Sequence, residues 1–217
     1  MKKLFHNKIF TIFLYFLVSF ALILPLWLQV NRFYNHTLTN IVFHLAALKY
    51  ELTITQTAIK DNEITFSLTN STPIKDFNDR IRTIDAHVTL DTGSVTFNVP
   101  MTLSLLLALT LSFRAPRQKK AALILKSMTL LLLLHLVTLY VIALSTLIQS
   151  AGNSTLMHFY LNRFYLPQEL IFNTASMLNS YAARFEPFLL AIFVWWMLQN
   201  IREDVPTVET TGTLPKL

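Results

Sequence analysis

The chain has 217 residues, is 53% hydrophobic and only 14% charged, lacks cysteine and carries a formal net charge of +6. A soluble domain usually has about 25% charged residues, so the composition argues against a water-soluble globule, and the missing cysteine excludes disulfides, thiolate metal sites and a cysteine nucleophile. The placement of the positive charge argues against a nucleic-acid partner: Lys2, Lys3 and Lys8 precede the first apolar run, and Arg114, Arg117, Lys119, Lys120 and Lys126 crowd one short stretch, which is the Lys/Arg pattern of short cytoplasmic loops.

Residues 1–8 read as a basic cytoplasmic N-terminus and 9–30 as a first membrane span. The run is longer than the apolar region of about 7–15 residues in a signal peptide, and Leu24-Pro25-Leu26-Trp27 is bulky where a cleavage site is small. It is therefore expected to remain as an anchor, kinked near Pro25, with Trp27, Phe33 and Tyr34 at interface depth. Residues 31–98 read as an extracytoplasmic helix followed by a small antiparallel β module. Leu38, Ile41, Val42, Leu45 and Leu48 recur at helical spacing, giving an amphipathic helix that either continues the first span or lies on the membrane surface. From Leu52 the period changes to two: Leu52 and Ile54, then Ile64, Phe66 and Leu68, alternate with polar residues, as half-buried strands do. Lys60-Asp61-Asn62 is the expected turn between them. A break at Asn70-Ser71-Thr72-Pro73 precedes a third strand over 84–90 and a fourth over 95–99, which feeds into Pro100.

Residues 99–113 are the second expected span, 114–120 a basic cytoplasmic loop and 121–148 the third span. Residues 149–186 form a second extracytoplasmic segment. In it Pro167 opens an amphipathic helix with Leu170, Ile171, Thr174, Met177, Leu178 and Tyr181 on one face. Pro187 is expected to open the fourth span, 187–201, with Trp195 and Trp196 anchoring its inner end, and 202–217 is a polar cytoplasmic tail. Each run approaches the ~20 residues that cross a bilayer as a helix, the form lipid demands of a spanning segment of this kind. The expected fold is a membrane α-helical bundle of four transmembrane helices with a small extracytoplasmic α+β antiparallel-sheet module, and the lipid bilayer is the first partner.

The candidate functional residues are His135, Arg163, Glu169, Arg184, Glu186 and Asn98. His135 lies mid-span, where an ionisable residue is a functional hypothesis. Its other reading is a neutral imidazole bonded to Thr138, Tyr140 or another span, which the sequence favours because no second ionisable partner is visible within the spans. Glu169 and Glu186 bracket the second amphipathic helix, with Arg163 and Arg184 beside them. They form either an interfacial site or solvated anchors, and the sequence favours anchors. Asn98 stands at the mouth of the second span. His36, His44, His87 and His158 lack metal-site spacing, so neither metal nor cofactor is expected. No phosphate loop, Gly-x-Ser-x-Gly or His-Glu-x-x-His occurs, no catalytic residue is assigned, and the chain is not expected to be an enzyme. Asn35-His36-Thr37, Asn70-Ser71-Thr72 and Asn153-Ser154-Thr155 match glycosylation acceptors by chance alone.

A layout emerges from these parts: a first span ending Leu24-Pro25-Leu26-Trp27, a Thr/Val-rich sheet ending Gly93-Ser94-Val95-Thr96-Phe97-Asn98-Val99-Pro100, the apolar 103–113 with basic 114–120, and Phe185-Glu186-Pro187 before a Trp-rich final span. It resembles the exosortase-associated membrane proteins, in particular the group that accompanies exosortase H in bacterial genomes. That family opens its second span with an Asn-Pro-Leu-Leu type sequence, where this chain reads Asn98-Val99-Pro100-Met101. The resemblance implies a multi-pass accessory protein of the bacterial inner membrane, both termini cytoplasmic, partnered by an exosortase or similar enzyme. Exosortases are transpeptidase-like and use a Cys/Arg/His site, so a cysteine-free chain is not the sorting enzyme itself. The alternative is a membrane enzyme or transport subunit using His135 and the outer-face charges. A third reading, an envelope sensor, finds no output domain in the tail.

Overall fold

The computed structural model describes residues 2–60, 63–75, 80–91, 96, 98–113, 115–152, 160–161 and 167–203. The chain is mostly helical, with one small antiparallel sheet. The helices are α1 (Lys2–Lys49), α2 (Val99–Ser112), α3 (Arg117–Gly152), α4 (Gln168–Met177) and α5 (Ala183–Glu203), with a π-helical turn, Leu178–Ala182, joining the last two. Strands β1 (Leu52–Lys60), β2 (Glu63–Asn70) and β5 (Asp85–Asp91) form the sheet in that order, and β3 (Ile74–Lys75) and β4 (Ile81–Arg82) pair as a separate two-residue hairpin.

α1 resolves the choice left open by the sequence: it is one helix of 48 residues, passing through Pro25 without a break. At about 1.5 Å per residue it is about 72 Å long, more than twice the ~30 Å hydrocarbon thickness. Its second half buries Asn35, Leu38, Thr39, Val42, Phe43, Ala46, Ala47 and Tyr50. That stripe is rotated from the expected one, since Ile41, Leu45 and Leu48 are exposed. The helix carries two apolar stripes, and the one with Ala46 and Ala47 wins because small side chains let the sheet approach closely. The helix ends at Lys49, and Glu51 just beyond it adopts the left-handed conformation at φ 52°, the conformation usual after a helix C-terminus. The Tyr160 hydroxyl donates to the Tyr50 carbonyl oxygen at 2.8 Å and fixes this turn. Burial pushes the Tyr50 phenol up to about 12, with Tyr140 adding to the effect.

Period two governs the sheet. Ile64, Phe66 and Leu68 of β2 and Ala86, Val88 and Leu90 of β5 face one way and join a core with the second half of α1 and with Leu139, Ala143, Leu144 and Leu147 of α3. Phe43 and Phe66 stack at its centre, centroids 4.1 Å apart and planes within 12°. The opposite face is polar: Thr65 and Thr89 hydroxyls meet at 2.9 Å and Ser67 meets His87 Nδ1 at 3.0 Å. Asn70, buried at the end of β2, accepts from the Ile84 amide at 2.6 Å and donates to the Thr72 carbonyl, so it is a structural residue rather than a glycan acceptor. Beyond β5 the fourth strand is not found at the described positions: Thr96 is helical, Asn98 a turn, and Val99 already opens α2. The Thr96 hydroxyl donates to Asn35 Oδ1 on α1. Residues 95 and 97 of the expected strand lie outside the described residues.

Among the described residues two helices are long and apolar enough to cross a membrane, within Lys8–Lys49 and Arg117–Ser150, and the α4–α5 pair qualifies as a third only when counted together across its 72° bend. α2, with 14 residues, is shorter. Four separate crossings of ordinary length are therefore not seen. α2 is instead enclosed, with Thr102, Ser104, Leu106, Ala108 and Thr110 buried. Ser104 and Thr110 hydroxyls return to carbonyls one turn back, and small residues let neighbouring helices close on α2. α5 begins at Ala183, so Pro187 lies within its first turns instead of opening it. The π turn and the proline, which cannot donate to the carbonyl four residues back, account for the bend. Leu106, Leu123, Leu131, Leu190, Val194 and Leu198 form a second core between α2, α3 and α5.

Candidate functional site

The two apolar cores meet at a polar junction. On α3, His135 stands one turn from Leu131 of the second core and one turn from Leu139 of the first. Its Nε2 lies 3.0 Å from Oε1 of Glu186 on α5. Its Nδ1 lies 2.9 Å from the hydroxyl of Tyr34 on α1. His135 and Glu186 are 1% and 7% exposed. Three helices thus each contribute one polar side chain to a single contact chain, buried at His135 and Glu186 and half-buried at Tyr34.

This arrangement corrects two expectations. His135 does have an ionisable partner, and Glu186 is not a solvated anchor. The partners are distant in sequence, and only the packing of α3 against α5 joins them. A signal was nonetheless available. Along α3, His135 lies about 22 Å beyond Lys120, and along α5 Glu186 lies about 24 Å from Arg202, at about 1.5 Å per residue. Counting from the basic ends places both at one depth.

The chemistry follows from the donor inventory. When the Tyr34 hydroxyl donates to Nδ1, the ring proton sits on Nε2 and faces the carboxylate. One further proton makes the set either imidazolium with carboxylate or neutral imidazole with carboxylic acid, and both have no net charge. The Glu186 oxygen approaches Nε2 without full hydrogen-bond alignment, so the two groups are held by burial as much as by direction. Tyr34 is fixed in turn by Trp27, one ring edge-on to the other at 5.2 Å, and it meets the imidazole at 75°.

The remaining candidates do not join this site. Glu169 and Arg184 are exposed, Glu169 in the first turn of α4, where a carboxylate is favoured by the helix dipole. Asn98 precedes α2, and its carbonyl oxygen accepts from the Thr102 amide at 2.9 Å and hydroxyl at 3.0 Å, a helix-starting role. Arg163, like His158 and Asn153, lies outside the described residues. His44 bonds the Asn40 carbonyl one turn back. Among the described residues no group of three His, Asp or Glu side chains is placed to hold a metal. The face expected for α4 is also revised: Leu170, Met177 and Tyr181 are exposed, and Ala175 is buried instead. No family model matches the chain, and no curated protein or solved structure matches it.

Proposed function

We propose that this chain is a non-enzymatic accessory or scaffold protein of the bacterial inner membrane that serves an exosortase-type sorting system. α1, α2, α3 and the bent α4–α5 pair are its four crossings, α2 in the shelter of its neighbours, with both termini in the cytoplasm and the sheet in the periplasm. The observation that carries this reading is the single apolar core shared by the sheet, α1 and α3. It makes the sheet a fixed part of the bundle, suited to presenting a surface. The surface is the outer edge of β1. Beyond Ile54 this strand is exposed on both faces, it carries a register shift at Thr55, and Ile59 is 57% exposed. An extended peptide adds to such an edge through main-chain hydrogen bonds, with Ile59 as an apolar contact. Thr65, by contrast, lies on the central strand and pairs on both sides.

Ile59→Lys is expected to abolish co-purification with an exosortase-type enzyme from native membranes. An exposed substitution changes stability by about 0.5 kcal/mol or less, and a lysine is a natural edge blocker. Thr55→Pro is expected to do the same while insertion into the membrane persists. Undiminished capture by both variants would remove the docking edge.

A second reading is favoured by the Tyr34–His135–Glu186 chain: a transport or enzyme subunit that binds a proton within the bundle, since intramembrane ionisable groups mark proton and ion paths. It expects His135→Ala, expressed at normal level, to eliminate proton-linked uptake or turnover in proteoliposomes. Activity equal to the parent would exclude it.

A further inference from the structure

Beside the sheet-proximal half of α3, a half-open groove of about 480 Å³ separates that helix from α4 and the π turn. Its volume falls within the range of about 300–1,000 Å³ typical of small-molecule sites. One wall is Ser145, Thr146 and Gln149, the other Asn173, Ser176 and Asn179, with Phe172 beside them. Among the described residues, every polar lining side chain is neutral. Each amide offers two donors and an acceptor, and each hydroxyl can donate and accept.

Two features of the lining bear on what the groove can hold. Ser145 is only 6% exposed and lines the groove. Asn179 lies within the π turn, an irregularity frequent at functional sites. It keeps Asn179 on the groove alongside residues one and two turns earlier in α4.

We infer that this groove binds a neutral sugar unit. A charged ligand would lose hydration with no opposite charge to meet it. A peptide would bring side chains that need apolar pockets, and among the described residues Phe172 and Ile142 are the only large apolar ones of the lining. A sugar ring presents donors and acceptors around its rim and a C–H face to lie on Phe172. The groove spans Ile142 to Gln149, about 10–21 Å along α3 past His135, and Leu170 and Met177 of α4 and Tyr181 of the π turn are exposed. A free sugar and a glycolipid headgroup share the required chemistry. The inference does not depend on the docking edge of β1.

The test uses the full chain in lipid nanodiscs prepared without glycoside detergents. Saturation-transfer NMR is run with neutral mono- and disaccharides in one arm, and with nanodiscs containing a neutral diglycosyl lipid in the other. Saturable binding in either arm, weakened at least tenfold by Asn173→Leu and by Ser176→Leu, is the expected result; both positions are exposed and leave the bundle core intact. The arm that responds identifies the source of the sugar. Absence of binding in both arms, binding indifferent to both substitutions, or binding of a neutral tripeptide in place of every sugar overturns the inference.

Discussion

Glu186→Leu is expected to destabilise the detergent-solubilised protein by about 3 kcal/mol or more, because removing one partner of a buried pair strands the other. His135→Leu should cost a similar amount. The double substitution His135→Leu/Glu186→Leu should recover most of the loss, since well-packed apolar residues often replace a buried pair at no net cost. Tyr34 would then be left facing leucine, so adding Tyr34→Phe should complete the recovery. The measurement is a double-mutant cycle from thermal unfolding. Simply additive losses would show that the 3.0 Å contact between His135 and Glu186 carries no coupling. The cycle also separates the two functional readings: a scaffold tolerates the all-apolar junction with its partner capture intact, while a proton-binding subunit loses its activity although its stability returns.

Phe43→Ala is expected to cost about 3–5 kcal/mol, the usual range for emptying a buried aromatic position, and to act at one end of the molecule. Phe43 and Phe66 are both fully buried and stacked, so the substitution opens the seam between α1 and the sheet. Limited proteolysis should then cleave around Lys60 much faster, while the second core between α2, α3 and α5 keeps its hydrogen-exchange protection. Equal loss of protection in both cores would mean that they form one cooperative unit. Unchanged cleavage would mean that the sheet is held by something other than this seam.

What the sequence revealed depended on how local the cause was. The strands around Ile64–Leu68 and the third strand near Ala86–Leu90 were legible because alternation is a local property of a surface with one buried face. The length and composition of α3 were legible for the same reason. The buried stripe of α1 was not. A helix with apolar residues on two faces does not say which one its neighbour covers, and the choice fell to Ala46 and Ala47, whose small size matters only once the sheet is there. Of the expected fourth strand, the described positions are not extended: Thr96 is helical and bonded to Asn35, and Val99 opens α2. Glu186 was misjudged because it sits beside Pro187, which resembles a helix start at a water boundary. The π turn continues the helical path through that point and brings the carboxylate inside. The candidate site was thus visible as one histidine, and its partners came only with the packing of three helices.

The unbroken course of α1 has a mechanical consequence. Tyr34 and Asn35, held by His135 and by Thr96, act as a fulcrum. On one side an arm of about 39 Å runs back to Lys8, and on the other an arm of about 22 Å reaches Lys49, at about 1.5 Å per residue. The long arm is exposed along most of its length, and the short arm bears the sheet through Phe43. A sideways force on the long arm, from lipid or a neighbouring helix, therefore arrives at the sheet with less travel and more thrust. Pro25 supplies the one point of give, because it lacks the amide that would bond the carbonyl of Ala21. α1 is in this sense a lever that ties events at its lipid-facing end to the attitude of the strands it carries.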